Sequence, residues 1–147
     1  MNPIDLTQRP PRSPRTRLGG FAILPRMLDK GRAQIAGTIG EYKYACPLDQ
    51  RFLDFAGIDP EELKEQLTEG KGDGEILAWI TEHSKTKPTE LDIQAWSEWV
   101  GRRVPADIES REFFNEMQTK VAPKREDIVT WFDMLDVDDF VSFGGKA

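Results

Sequence analysis

The stretch Asp59-Pro60-Glu61-Glu62-Leu63-Lys64-Glu65-Gln66-Leu67-Thr68-Glu69-Gly70-Lys71-Gly72-Asp73-Gly74-Glu75-Ile76-Leu77 decides the fold class. It holds two helix starts separated by a glycine turn. Asp59 can accept the N–H of residue 62, Pro60 stands at the first helical position where its missing N–H costs nothing, and Glu62 can reach back. Leu63 and Leu67 then form an apolar edge that runs to Gly70. After the glycines, Asp73 is expected to cap a second helix carrying Ile76, Leu77 and Ile80. The rest of the chain holds no internal repeat, and about six helices of ordinary length account for most of it.

Towards the C-terminus, residues 82–88 read as a polar linker. Thr89 can cap a helix striped with Leu91, Ala95, Trp96, Trp99 and Val100, which ends at Gly101 beside Arg102 and Arg103. Beyond Pro105, Phe113, Phe114, Met117 and Val121 mark another helix, broken by Pro123. A last one carries Ile128, Val129, Trp131, Phe132 and Leu135 and runs into an acidic end, Asp136, Asp138 and Asp139. Towards the N-terminus, Leu48, Phe52, Leu53 and Ala56 form a short helix halted by Gly57. Leu24, Met27, Leu28 and Ile35 form one over about 24–36, with Gly31 on the stripe (suggesting close approach by another backbone) and Gly37 as its stop. Between them, Thr38, Ile39, Tyr42 and Tyr44 favour extended structure.

Residues 7–20, Thr-Gln-Arg-Pro-Pro-Arg-Ser-Pro-Arg-Thr-Arg-Leu-Gly-Gly, cannot be helical, because each proline fixes φ and pushes its predecessor to extended geometry. The reading is a mainly α protein: an irregular bundle of about six helices with an extended N-terminal arm and at most one short β-hairpin, near residues 38–45. The expected core includes Leu28, Phe52, Leu77, Trp96, Trp99, Phe113 and Trp131. At 147 residues, one helical domain over 1–147 is expected, with residues 1–20 as an extended Pro/Arg-rich arm docked on the body through Leu18 and Phe21.

Composition narrows the function classes. Cys46 is the single cysteine, so no intrachain disulfide forms and a reducing compartment fits. Met1-Asn2-Pro3-Ile4-Asp5 lacks the basic and apolar regions of a secretory leader, and no apolar run reaches the ~18 residues that cross a bilayer. A cytoplasmic location without membrane insertion is expected. The net charge of −6 is uneven. Residues 1–32 hold seven basic and two acidic side chains, net +5; the remainder holds 13 basic and 24 acidic, net −11. An acidic body repels nucleic acid, so only the arm could touch it, and that partner ranks last.

Few residues assemble a recognisable chemistry. His83 and Cys46 are too few for a nitrogen/sulfur metal site, and Asp133 to Asp139 lacks the glycine and closing Glu of a calcium loop, so neither metal nor other cofactor is expected. Gly70 to Gly74 lacks the Lys-Ser/Thr of a phosphate loop and carries Asp73 where an anion would sit; it reads as a turn. Pairs such as Asp49 and Asp54 fall on polar helix faces with no signature of acid/base spacing. Cys46 precedes a helix, where a thiol can be reactive, although a buried inert cysteine is the default.

The arginines carry most chemical suggestion. Arg12, Arg15 and Arg17 lie on the arm, and Arg26, Asp29 and Arg32 on the helix after it. Arginine's planar fork binds carboxylate or phosphate in two parallel bonds. Arg15, Arg17 and Arg26 are expected to border an acidic or anion-filled groove near Tyr42, Tyr44 and Cys46. The plainer alternative pairs Asp29 with Arg26 and Arg32 along the helix surface, while the arm binds acidic residues of the body.

Asp5-Leu6-Thr7 through Pro10, Arg12-Ser13-Pro14-Arg15, Leu18-Gly19-Gly20, Leu24 to Lys30, Gly40-Glu41-Tyr42 and Cys46-Pro47-Leu48-Asp49 resemble an uncharacterised bacterial family, domain of unknown function 5069. The likeness continues through Phe52-Leu53, Ile58-Asp59 and Asp73 to Leu77, as far as Trp131-Phe132-Asp133. It implies a small bacterial protein and transfers no activity, cofactor or catalytic residue. The expected function is a binding or regulatory module for a protein partner or small anion, ahead of a small enzyme using Cys46 as a reactive thiol. Weak nucleic-acid binding through the arm comes third, and the oligomeric state is open.

Overall fold

The computed structural model describes residues 4–147. Met1 to Pro3, where the arm and the stretch read as leaderless begin, lie outside the described residues. The element order is β1 (Arg17–Leu18), β2 (Phe21–Ala22), α1 (Leu24–Ala36), α2 (Pro47–Ala56), α3 (Pro60–Thr68), α4 (Asp73–His83), α5 (Glu90–Gly101), α6 (Ile108–Val121) and α7 (Trp131–Ser142). The protein is mainly α, with one two-stranded antiparallel sheet among the described residues. Internal contacts divide the chain after Ser97 into two compact units.

Local signals account for most helix ends. Asp59 accepts the N–H groups of Glu61 (2.9 Å) and Glu62 (3.1 Å) at the start of α3. Thr89 Oγ1 accepts Asp92 N–H and Asp92 returns the favour to Thr89 N–H, opening α5. Gly37 and Gly57 end α1 and α2 in the left-handed region. Two expectations are corrected. Residues 38–45 form turns, whereas the hairpin lies at Arg17–Ala22, pairing Arg17 with Ala22 and Leu18 with Phe21. Its turn is Gly19-Gly20, both at positive φ, the conformation that a two-residue turn between right-twisted strands demands. The last helix starts at Trp131, after Ile128 and Val129, because Thr130 and Asp133 form its capping box.

In the first unit α1 is the axis. Every residue from Leu24 to Ala33 is buried, and the helix packs against α2 and α3. The close approach at Gly31 is made by side chains, not backbone: a Cβ there would stand 2.6 Å from Leu67 Cδ1 and 3.0 Å from Tyr44 Cε1. Phe21 sits edge-on to Phe52 at 5.2 Å, and Phe55 stacks on Trp96 at 4.9 Å, joining hairpin, α2 and α5. Ser97, 1% exposed, pins the hairpin: its Oγ accepts Ala22 N–H and donates to Gly20 C=O. Ile23, wholly buried at φ 75°, holds a conformation that β-branched residues avoid, with its N–H given to Pro14 C=O and its C=O starting α1.

In the second unit Phe114, Ala122, Ile128, Met134 and Val137 form a cluster between α6 and α7, with Trp131 edge-on to Phe114 at 5.2 Å. Of the expected core, Leu28 and Phe52 are fully buried and Leu77, Trp96 and Trp131 half-buried, but Trp99 (51% exposed) and Phe113 (56%) are surface residues. Phe113 and Phe114 are adjacent, so a helix can bury only one of them fully against α7.

Candidate functional site

A helix buried from Leu24 to Ala33 must compensate each charge of that stretch from within the protein. Helix α1 buries four: Arg26, Asp29, Lys30 and Arg32. Two clusters answer them.

The first is a chain of four charges. Arg12, on the extended arm, gives Nε and Nη2 to the two oxygens of Asp29 at 3.0 Å each, and its backbone N–H also reaches Asp29 Oδ2 at 2.9 Å. The other edge of the same guanidinium meets Asp73, Nη1 to Oδ2 at 2.8 Å. Arg32 closes the chain, with Nη1 on Asp73 Oδ1 at 2.8 Å and Nη2 on the Lys71 carbonyl at 3.2 Å. Burial alone would weaken the charged form of Arg12, but its bonds to Asp73 and Asp29 outweigh that and hold it above the ordinary guanidinium range. Burial would raise Asp73; the hydrogen bonds from Arg12 and Arg32 win, so its carboxyl lies below the usual range.

This arrangement corrects two readings. Asp73 is not a cap, since Gly72 holds that position and the Asp73 carboxylate serves the arginines. Asp29 is not part of a surface bridge: it is 4% exposed and held by Arg12 from the arm. Of the other candidates, Arg26 is buried, donates to Arg12 C=O at 3.3 Å and lies 5.5 Å from the centre of the Tyr42 ring. Arg15 and Arg17 are exposed, at and beyond the turn where the arm enters the hairpin. Tyr44 donates its hydroxyl to Pro60 C=O at 2.7 Å, and burial, helped by the charge of Asp49, pushes its phenol up.

The second cluster surrounds Lys30. Its ammonium, on a side chain 4% exposed, lies 2.8 Å from Asp49 Oδ2 and 3.3 Å from Cys46 Sγ. Cys46 is the N-cap of α2 and only partly buried, rather than locked in a core. Ala45, just before it, has φ 58°. Asp49 is fully buried, yet neither of its oxygens has a hydrogen-bond donor; the Lys30 contact is an ion pair outside hydrogen-bond geometry. Sequence reasoning passed over Lys30 and put Asp49 on a polar helix face, whereas Asp49 is fully buried. The available signal was an Asp in the first turn after Cys46-Pro47.

The second unit has a different surface. Ile108 is 80% exposed, Phe113 and Phe140 56%, Trp99 and Val129 51%. Arg103 lies 5.7 Å from the Trp99 ring centre. The acidic stretch Asp136, Asp138 and Asp139 is part of α7, and Asp139 is 6% exposed. Among the described residues no helix is long and apolar enough to cross a membrane, and no cluster of three or more His, Cys, Asp or Glu could hold a metal ion.

No curated protein matches the chain. A family model described as "Domain of unknown function (DUF5069)" matches residues 8–141, a span holding Arg12, Asp29, Lys30, Cys46, Asp49 and Asp73 alike, and to that family the chain belongs.

Proposed function

We propose that this is a cytoplasmic binding module for a protein partner, engaged through the apolar surface of the second unit. The observation that carries the reading is the exposure of Ile108, Phe113, Trp99, Val129 and Phe140 within some fifty residues. Single exposed apolar side chains need no explanation, but large aromatic and branched ones gathered on a small unit are what protein interfaces use as anchors. Arg103 beside Trp99 adds the residue pair that such interfaces favour. A small anion fits the arginines less well. Arg12 and Arg32 already carry Asp29 and Asp73, so a ligand would have to displace charge-assisted bonds of 2.8–3.0 Å.

Site-specific photocrosslinking in cells tests this. A photoreactive phenylalanine at Phe113 is expected to give a discrete adduct with another protein, lost when Ile108 and Trp99 are changed to serine. The same probe at Glu112, a polar exposed neighbour, serves as control. Equal, diffuse labelling from both positions would sink the reading.

A further inference from the structure

We propose that Cys46 is an oxidation-sensitive modification site that closes onto Lys30, forming a covalent sulfur–nitrogen link between α2 and α1 when a hydroperoxide oxidises the thiol. Three observations meet here. The Sγ and Nζ atoms are 3.3 Å apart, already in contact, and belong to elements that pack on one another. Cys46 is partly exposed at the start of α2, whereas the Lys30 side chain is screened from water. Asp49, fully buried, has two oxygens with no hydrogen-bond donor, one of them 2.8 Å from Nζ. That carboxylate is the counter-ion that offsets the burial of Lys30. It supplies a place for a proton that Lys30 must lose before nitrogen can attack.

The steps balance. The thiol attacks the hydroperoxide, the O–O bond breaks, sulfur is oxidised to the sulfenic acid and the peroxide is reduced to water or an alcohol. Lys30 passes one proton to Asp49. The nitrogen lone pair then forms the N–S bond as the S–O bond breaks, and the departing hydroxide takes a second proton from nitrogen and leaves as water. The products are the sulfenamide and a protonated Asp49. Thiols reopen the bond by attack on sulfur, returning the amine and a disulfide that a second thiol reduces.

Peptide mapping of the intact folded protein after brief treatment with hydrogen peroxide tests the link. The expected product is about 2 Da lighter than the reduced protein, reverts with dithiothreitol, and resists trypsin after Lys30, joining residues 27–32 to residues 44–51. Lys30→Met is expected to abolish it, with Cys46 proceeding to sulfinic acid. Asp49→Asn is expected to lower the yield of link relative to sulfinic acid. The wild-type map stands even where a variant folds poorly. Sulfenic or sulfinic acid at Cys46 with normal cleavage after Lys30 would overturn the proposal, as would a thiol left unoxidised.

Discussion

Arg12 holds both carboxylate oxygens of Asp29 across seventeen residues of sequence, with two side-chain bonds of 3.0 Å and a backbone bond of 2.9 Å to the same group. The contact ties an extended, proline-rich segment to the most buried helix of the protein. An Asp with 4% exposure and no such partner would leave a charge stranded in the interior.

Replacing Arg12 by Met is therefore expected to destabilise the protein by about 2–4 kcal/mol, because Asp29 loses the two side-chain bonds that Arg12 gives it. Arg12→Lys keeps the charge without the fork and is expected to recover less than half of the loss. Urea unfolding of the three proteins decides this. A loss for Arg12→Met within the scatter of ordinary surface changes would show that the contact contributes nothing.

The depressed Asp73 carboxyl makes a pH-dependent contribution. Its ionised form is favoured in the folded protein relative to the unfolded chain, so the stabilisation is fully present above the unfolded value of about 4 and is lost as pH falls through the lower folded value. Wild type and Asp73→Asn are expected to differ most at neutral pH and to converge as pH falls through the lowered folded value. Stability of both proteins measured from pH 7 to pH 2.5 gives the comparison; a difference that stays constant with pH would refute the assignment.

Gly31→Ala sets helix propensity against packing. Alanine favours a helix over glycine by about 1 kcal/mol, but the new Cβ would sit 2.6 Å from Leu67 Cδ1, a side chain 4% exposed with nowhere to retreat. Overpacking is expected to win by about 1 kcal/mol or more. Adding Leu67→Ala should restore the propensity gain, so the double-mutant cycle is expected to be strongly non-additive.

Ser97→Ala removes one acceptor and one donor from the hairpin at once. The Ala22 N–H and Gly20 C=O would lose their partner, at a cost of about 1–3 kcal/mol. Thermal unfolding reads this directly, and an unchanged midpoint would mean that water replaces the hydroxyl at no cost.

Phe113 and Phe114 are expected to separate stability from surface. Phe114→Ala, at a fully buried site, should cost about 3–5 kcal/mol, whereas Phe113→Ala at 56% exposure should cost under about 1 kcal/mol. Equal losses would place Phe113 in the core after all and remove an anchor from the proposed binding surface.

Helix starts and stops were legible because they are set within one turn of chain. Asp59 and Pro60 open α3, Thr89 and Asp92 open α5, and Gly37 and Gly57 close α1 and α2, whatever the rest of the molecule does. The same local chemistry established a mainly α fold with an irregular N-terminal segment. Where two local readings competed, neighbours in space chose between them. Asp73 could cap a helix or meet an arginine, and two guanidiniums outbid a backbone N–H. Tyr42-Lys43-Tyr44 alternates like a strand, but a ladder needs a partner and none lies beside it, while Gly19-Gly20 supplied the turn for a hairpin too short for periodicity to show. The sequence by itself thus determined where the helices lie, since capping and periodicity act over three or four residues. Only the tertiary structure decided that α1 is buried all round from Leu24 to Ala33. That burial makes Arg12, Lys30, Asp49 and Asp73 answer charges or thiols up to sixty-one residues distant, and no spacing in the chain encodes those meetings.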